Sequence, residues 1–101
     1  MRLDYGLKEL KDEDFLRPAK VMVYYDEELM RITGKYFEEM WVNSGAPFYF
    51  ILESVFSTYP EIPKRYPPKV LGFTVNDTPP ETFDPIKDGD VIRFKIFRLK
   101  F

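Results

Sequence analysis

The sequence contains neither cysteine nor histidine. The first absence excludes disulfides, thiolate metal sites and a cysteine nucleophile. The second removes the usual general base at neutral pH and the commonest metal ligand. Catalysis would have to rest on carboxylates, lysines, tyrosines or serines, so the sequence argues against an enzyme and predicts no cofactor and no metal. No apolar run approaches the ~18 residues of a membrane span. The opening Met1-Arg2-Leu3-Asp4-Tyr5 lacks the apolar stretch of a signal peptide. The expectation is a cytoplasmic protein without a membrane partner.

What is present fits one domain with one core: 101 residues and 18% aromatics. The net charge of −2 does not mark the whole chain as a nucleic-acid binder. The charge is divided, however. Residues 1–63 hold seven Lys and Arg against twelve Asp and Glu, and residues 64–101 hold eight against five. An acidic front and a basic end can orient docking on a partner, although solvated surface charge explains the split equally well.

Residues 1–18 form a polar N-terminal extension in which Leu7 and Leu10 allow one or two helical turns. Lys20 to Tyr25 reads as a strand with apolar residues on both faces. Asp26 to Gly34 reads as a polar connection ending in a hairpin turn. Tyr36 to Val42 reads as a second strand, with Tyr36, Met40 and Val42 on one parity and Phe37 and Trp41 on the other. Glu38 and Glu39 place a charge on each face, which suits a strand near a sheet edge.

Gly45 and Pro47 then open a helix, Pro47 suiting its first position. Phe48, Ile51, Leu52, Val55, Phe56 and Tyr59 follow the spacing of one buried helical stripe, ended by Pro60. Pro60 to Pro68 is expected to be an irregular loop. Val70 to Val75 is a third strand closed by Asn76-Asp77, a favourable turn pair. A short strand is expected around Phe83, then a turn at Gly89, then a long strand from Val91 to Phe101. A hairpin, one crossing helix and a returning sheet make an α+β domain.

Several stretches in this order resemble the β-grasp sulfur-carrier family, which includes the small subunit of molybdopterin synthase and the thiamine sulfur carrier. Glu28-Leu29-Met30-Arg31-Ile32-Thr33-Gly34-Lys35 is similar to the family's first-hairpin segment. Gly45 and the helix with Ile51-Leu52 ending at Tyr59-Pro60 are similar to its helix. Val75-Asn76 followed by Asp88-Gly89-Asp90-Val91 is similar to its closing turn. The resemblance covers residues 19–101. It implies a ubiquitin-like β-grasp domain, with a mixed sheet of four to five strands and one main helix packed across one face.

The resemblance also implies a chemistry, in which a C-terminal diglycine is adenylated and converted to a thiocarboxylate. Glycines thread the narrow channels of the partner enzymes because they lack side chains. This sequence has Lys100-Phe101 at that place. Before it, Ile92, Phe94 and Ile96 share a parity expected to face the helix. Phe97, Leu99 and Phe101 take the other, so the apolar face switches near Ile96-Phe97, by a bulge or by projection beyond the core.

The candidate partner-binding residues are therefore Trp41, Phe97, Arg98, Leu99, Lys100 and Phe101, a strand end of large apolar groups alternating with cations. Packing against the chain's own N-terminal arm is an equally simple use of the end. Trp41 is a candidate surface anchor, although a half-buried packing role is the plainer reading. The expected function is non-enzymatic protein binding, to another protein such as an enzyme subunit or to a second copy through the final strand. The alternatives are a working sulfur carrier in molybdopterin or thiamine synthesis, and a small-molecule or RNA-binding module resting on the basic end.

Overall fold

The computed structural model describes residues 17–97. Residues 1–16, and with them most of the N-terminal extension, lie outside the described residues, as do the candidates Arg98, Leu99, Lys100 and Phe101. The strand expected to run to Phe101 is described only to Ile96.

Strand β1 (Pro18–Tyr25) alternates strictly: Ala19, Val21, Val23 and Tyr25 are buried, while Lys20, Met22 and Tyr24 turn to the other face. Its chain then enters a helix where the sequence suggested a turn. Helix α1 (Glu27–Thr33) is capped by Asp26, whose Oδ1 accepts the Leu29 N–H at 3.0 Å. Gly34 closes it with φ of 76°, a left-handed conformation that costs glycine little, and donates its N–H to the Met30 carbonyl. The glycine taken for a hairpin turn is thus a helix terminator. Strand β2 (Phe37–Asn43) follows.

Helix α2 (Phe48–Thr58) carries the expected stripe: Phe48, Ile51 and Val55 are buried, and Leu52, Phe56 and Tyr59 pack beside them. Pro47 precedes the helix in extended conformation as its N-cap, one position earlier than expected, and offers no side-chain acceptor. The orphan N–H groups are satisfied from afar, Phe48 donating to the Asp84 carbonyl at 2.8 Å and Tyr49 to the Thr82 carbonyl at 3.0 Å. These carbonyls occupy the passage where a strand around Phe83 was expected. No strand forms there: Pro79, Pro80 and Pro85 remove ladder donors, and the passage instead caps α2.

The Pro60–Pro68 connection is also more regular than expected. It contains a helical turn, α3 (Glu61–Arg65), and a 3-10 turn over Pro68–Val70. Pro63 is tolerated because the first turn of a helix has no intrahelical use for its N–H groups. Ile62 from this turn is fully buried, and the Tyr66 hydroxyl donates to Glu28 of α1 at 3.1 Å.

Strands β3 (Leu71–Val75) and β4 (Val91–Ile96) complete one sheet in the order β2-β1-β4-β3. The central pair β1 and β4 is parallel, with Tyr24 opposite Arg93 and Tyr25 opposite Phe94; both outer pairings are antiparallel. The tight turn after β3 holds Asn76 and Asp77 at positive φ, 51° and 70°. Asn76 also clamps the start of β4, since its side chain donates to Asp90 and accepts the Val91 N–H, both at 2.9 Å. Such a mixed four-stranded sheet with a helix across one face is the expected α+β, ubiquitin-like β-grasp.

Asp26 ties two parts of this fold together, because its second carboxylate oxygen accepts the Ile96 N–H at 2.7 Å. Asp26→Ala removes a helix cap and strands a β4 donor, so it should lower stability by about 1–3 kcal/mol. Urea denaturation followed by circular dichroism measures this; Asp26→Asn should recover part of the loss.

Candidate functional site

The α2 side of the sheet is occupied by the core, so the candidate site lies on the opposite, outer face. Register places its residues. Trp41 stands opposite Lys20, Glu39 opposite Met22, and Phe37 opposite Tyr24. Across the parallel pair, Met22 faces Val91 and Tyr24 faces Arg93, and on the far side Lys95 faces Gly72 and Arg93 faces Thr74. Residues matched across neighbouring strands point to one side. One face therefore collects aromatics and cations from β1, β2 and β4, with the small Gly72 and Thr74 of β3 beside them.

The aromatic groups stay uncovered among the described residues. Trp41 is 62% exposed, Tyr36 56%, Phe97 50% and Phe37 45%. Trp41 is thus a surface residue, in keeping with the anchor reading. Tyr36 corrects an expectation. It ends before β2 begins and, instead of sharing the core-facing parity of Met40 and Val42, stacks edge-on to Tyr24 at 5.6 Å and to Phe37 at 6.4 Å. Tyr24 and Phe37 stack at 5.5 Å, completing a three-ring cluster.

Each cation of the face lies over a ring: Arg93 over Tyr24 at 4.7 Å, Lys20 over Trp41 at 5.9 Å and Lys95 over Phe97 at 5.9 Å. Lys20 also pairs with Glu39 at 3.5 Å, and Arg93 reaches the highly exposed Asp77 at 3.9 Å. Exposed pairs of this kind contribute little, so the cations remain free to meet an incoming acid. Beside them lies an open cleft of about 250 Å³ between Tyr24, Tyr36, Arg93 and Lys95.

Phe97 sits just past β4, held by its N–H to the Val70 carbonyl at 2.7 Å. Its ring lies across Gly72, where any Cβ would overlap it. Gly72 therefore gives the ring its seat and keeps Phe97 on the outer face. Phe94 packs inside against Phe56 while Phe97 lies outside; Leu99 and Phe101, on which the expected switch of apolar face also rests, lie outside the described residues.

Of the sequence-derived candidates, Trp41 and Phe97 lie on this one face, near opposite edges of it, and the remaining four lie outside the described residues. Tyr24, Tyr36, Phe37 and Lys20 were not singled out, and Arg93 and Lys95 entered only as part of the basic end, Arg93 to Lys100. Their parities were readable, but only the strand order brings them together.

On the core side, Glu38 at the edge forms a polar cluster. It accepts hydrogen bonds from the Tyr25 hydroxyl at 2.5 Å, the Tyr59 hydroxyl at 3.0 Å and Lys35 at 3.4 Å. Partial burial alone would raise its pKa; the tyrosine hydrogen bonds and the Lys35 ammonium outweigh that and hold it below the ordinary glutamate value. Burial, then the donated bond to Glu38 and its negative charge, push the Tyr25 phenol upward and keep it protonated. Every member of the cluster is used in holding the edge of the sheet to α2.

No metal-binding group of three or more acidic side chains, and no helix long and apolar enough to cross a membrane, occurs among the described residues. No family model matches the sequence, and no curated protein matches it. Solved structures do. A putative molybdopterin converting factor subunit 1 from Pyrococcus furiosus superimposes with a TM-score of 0.69 at 22% identity, over 79% of this chain and 99% of its own. SAMP1 from Haloferax volcanii gives 0.70 at 11% identity, over 82% and 100%. The Haloferax volcanii HVO 2177 protein gives 0.71 at 14%, over 100% and 99%. With identities this low the likeness speaks for architecture alone, and it agrees with the strand order found: the chain has the ubiquitin-like β-grasp fold of these small converting-factor and modifier proteins.

Proposed function

We propose that this chain is a non-catalytic protein-binding domain that docks on another protein through its outer sheet face and final strand. The observation that carries the proposal is the concentration of Tyr36, Phe37, Trp41 and Phe97 on one exposed face, each close to a cation or another ring. Rigid aromatics and arginine are the usual anchors of protein interfaces. Arg98, Leu99, Lys100 and Phe101 follow Phe97 directly in sequence and extend the same alternation of cations and large apolar groups. The absence of histidine and cysteine supports a binding role over a catalytic one.

The test is capture of the partner from the native source by the tagged chain, repeated with Trp41→Ser combined with Phe97→Ser. Loss of anchors of this type weakens binding by about tenfold or more, so one protein should disappear selectively from the captured set. Retention of every captured protein would contradict the proposal.

The fold shared with a putative molybdopterin converting factor subunit favours a second reading, a sulfur carrier acting with an activating enzyme. Mass spectrometry of the chain after incubation with such an enzyme, ATP and a sulfur donor decides it, a thiocarboxylate being the required product.

A further inference from the structure

We propose that the cleft beside Arg93 and Lys95 receives an extended acidic segment of the partner protein, one with two carboxylates two residues apart. The inference rests on the docking reading above and adds to it the chemistry of the partner. The first observation is the placing of the two cations. Both project from β4 on the outer face, Arg93 opposite Tyr24 and Thr74, and Lys95 opposite Gly72. Two residues of strand set them about 6.4–6.8 Å apart. In an extended segment, side chains two apart likewise share one side at the same spacing. Two aspartates or glutamates separated by a single residue therefore meet both cations at once when the segment runs along β4.

The second is that these charges are weakly used within the domain. Lys20 is paired with Glu39 at 3.5 Å, whereas Arg93 reaches Asp77 at 3.9 Å, a side chain 88% exposed. Lys95 has no ion pair among the described residues. One acid does line the cleft, Asp26, but its two oxygens already accept the Leu29 and Ile96 N–H groups. Both cations are also held in place, Arg93 over the Tyr24 ring at 4.7 Å and Lys95 over the Phe97 ring at 5.9 Å. Side chains fixed in this way lose less freedom when a carboxylate arrives.

The third is size. The cleft holds about 250 Å³, below the ~300–1,000 Å³ of sites that enclose a small molecule. It suits side chains of a larger partner. Tyr36 lines it and Phe97 lies beside Lys95, 56% and 50% exposed, so large apolar residues flanking the two acids would cover both rings. A nucleic-acid strand is a poorer occupant, because binding dominated by phosphates gathers many Lys and Arg contacts. Here Lys20 is already paired, and the carboxylates of Glu39 and Asp77 stand beside the cations. A second copy is poorer still, since two such faces would bring like charges together.

The test titrates the isotope-labelled full chain with short capped peptides at about 20 mM salt, where surface charges act over ~20 Å or more. The first peptide has two aspartates separated by one serine, between phenylalanine and leucine; the second has asparagines in their place; the third has a further serine between the aspartates. The first should shift the amides of Tyr24, Tyr36, Arg93 and Lys95. The asparagine peptide should bind about threefold to tenfold more weakly, the scale of two exposed ion pairs, and the wider-spaced peptide should fall between. Combining Arg93→Gln with Lys95→Gln should weaken the first peptide to the same degree, with circular dichroism unaltered. Equal affinities for the aspartate and asparagine peptides, or no shifts with any of them, would overturn the proposal. Tighter binding of a short oligouridylate at the same residues would overturn it and assign the cleft to nucleic acid. Failure of the docking reading is separate. A partner lost on combining Trp41→Ser with Phe97→Ser but kept by the double glutamine variant would overturn the acidic match and leave the docking face standing.

Discussion

Phe94→Ala should lower the stability of the domain by about 3–5 kcal/mol, the range for deleting a large buried aromatic. Phe94 lies at the middle of β4 and is 1% exposed, between Tyr25 on the parallel strand and Phe73 on the antiparallel one. Its ring meets Phe73 at 5.0 Å, Tyr25 at 6.0 Å and Phe56 of α2 at 6.4 Å, each close to edge-on. Such contacts add about 0.5–1.5 kcal/mol apiece beyond burial. Truncation removes a ring that joins the central strands to the helix, and the neighbours are too constrained by the sheet to collapse into the space. Small domains are stable by only about 5–15 kcal/mol, so the variant should unfold at much lower urea with little change in slope. Phe94→Leu, which keeps most of the volume, should cost less than half as much. A loss below about 1 kcal/mol for Phe94→Ala would show that the ring cluster does not organise the core.

Glu38→Ala should cost about 1–3 kcal/mol, because it leaves the buried Tyr25 hydroxyl without its acceptor. Tyr59 is only half-buried and can turn to water, so most of the loss belongs to Tyr25. Glu38→Gln keeps an acceptor but loses the charge and should cost less. The pH dependence follows from the direction of the shift. The folded Glu38 carboxyl lies below its unfolded value, near 4.3, so its contribution is fully present above that pH and is lost as pH falls through the folded value. Wild type should therefore exceed Glu38→Gln in stability at pH 6 and approach it as pH falls below the ordinary glutamate range and through the lowered folded value. Urea titrations of both chains across this range measure the difference; a gap independent of pH would contradict the charge's role.

The extent to which the sequence reveals this fold varies with the range of the interactions involved. Helix α2 was readable because its stripe from Phe48 to Tyr59 is local and repeats with one period. The turn at Asn76-Asp77 was readable because both residues tolerate positive φ. Helix α1 was misread because seven residues bury only Leu29 and Thr33, too few to show a period. Its signals were nevertheless present: Asp26 as a cap, Glu27 and Glu28 in the first turn, and Gly34 as terminator. The absence of a strand around Phe83 was readable only in part: Pro79, Pro80 and Pro85 stand in the sequence, but the capping role of the Thr82 and Asp84 carbonyls depends on a helix more than thirty residues away.

The candidate face shows the same limit. Trp41 and Phe97 stood out as large apolar residues on outward parities. Their grouping with Tyr24, Tyr36 and Arg93 depends on β1 pairing with β4 in parallel, which no local pattern specifies. Gly72 is the least legible of all, being an ordinary strand glycine until the Phe97 ring is seen lying across it.

The most direct test of the docking face is amide chemical-shift mapping of the isotope-labelled full chain with the captured partner. The account predicts that the shifts concentrate on Lys20, Met22, Tyr24, Phe37, Trp41, Arg93, Lys95 and Phe97, while the exposed side of α2, around Phe50 and Ser54, stays unchanged. Shifts centred on α2 with an unperturbed outer sheet would contradict it.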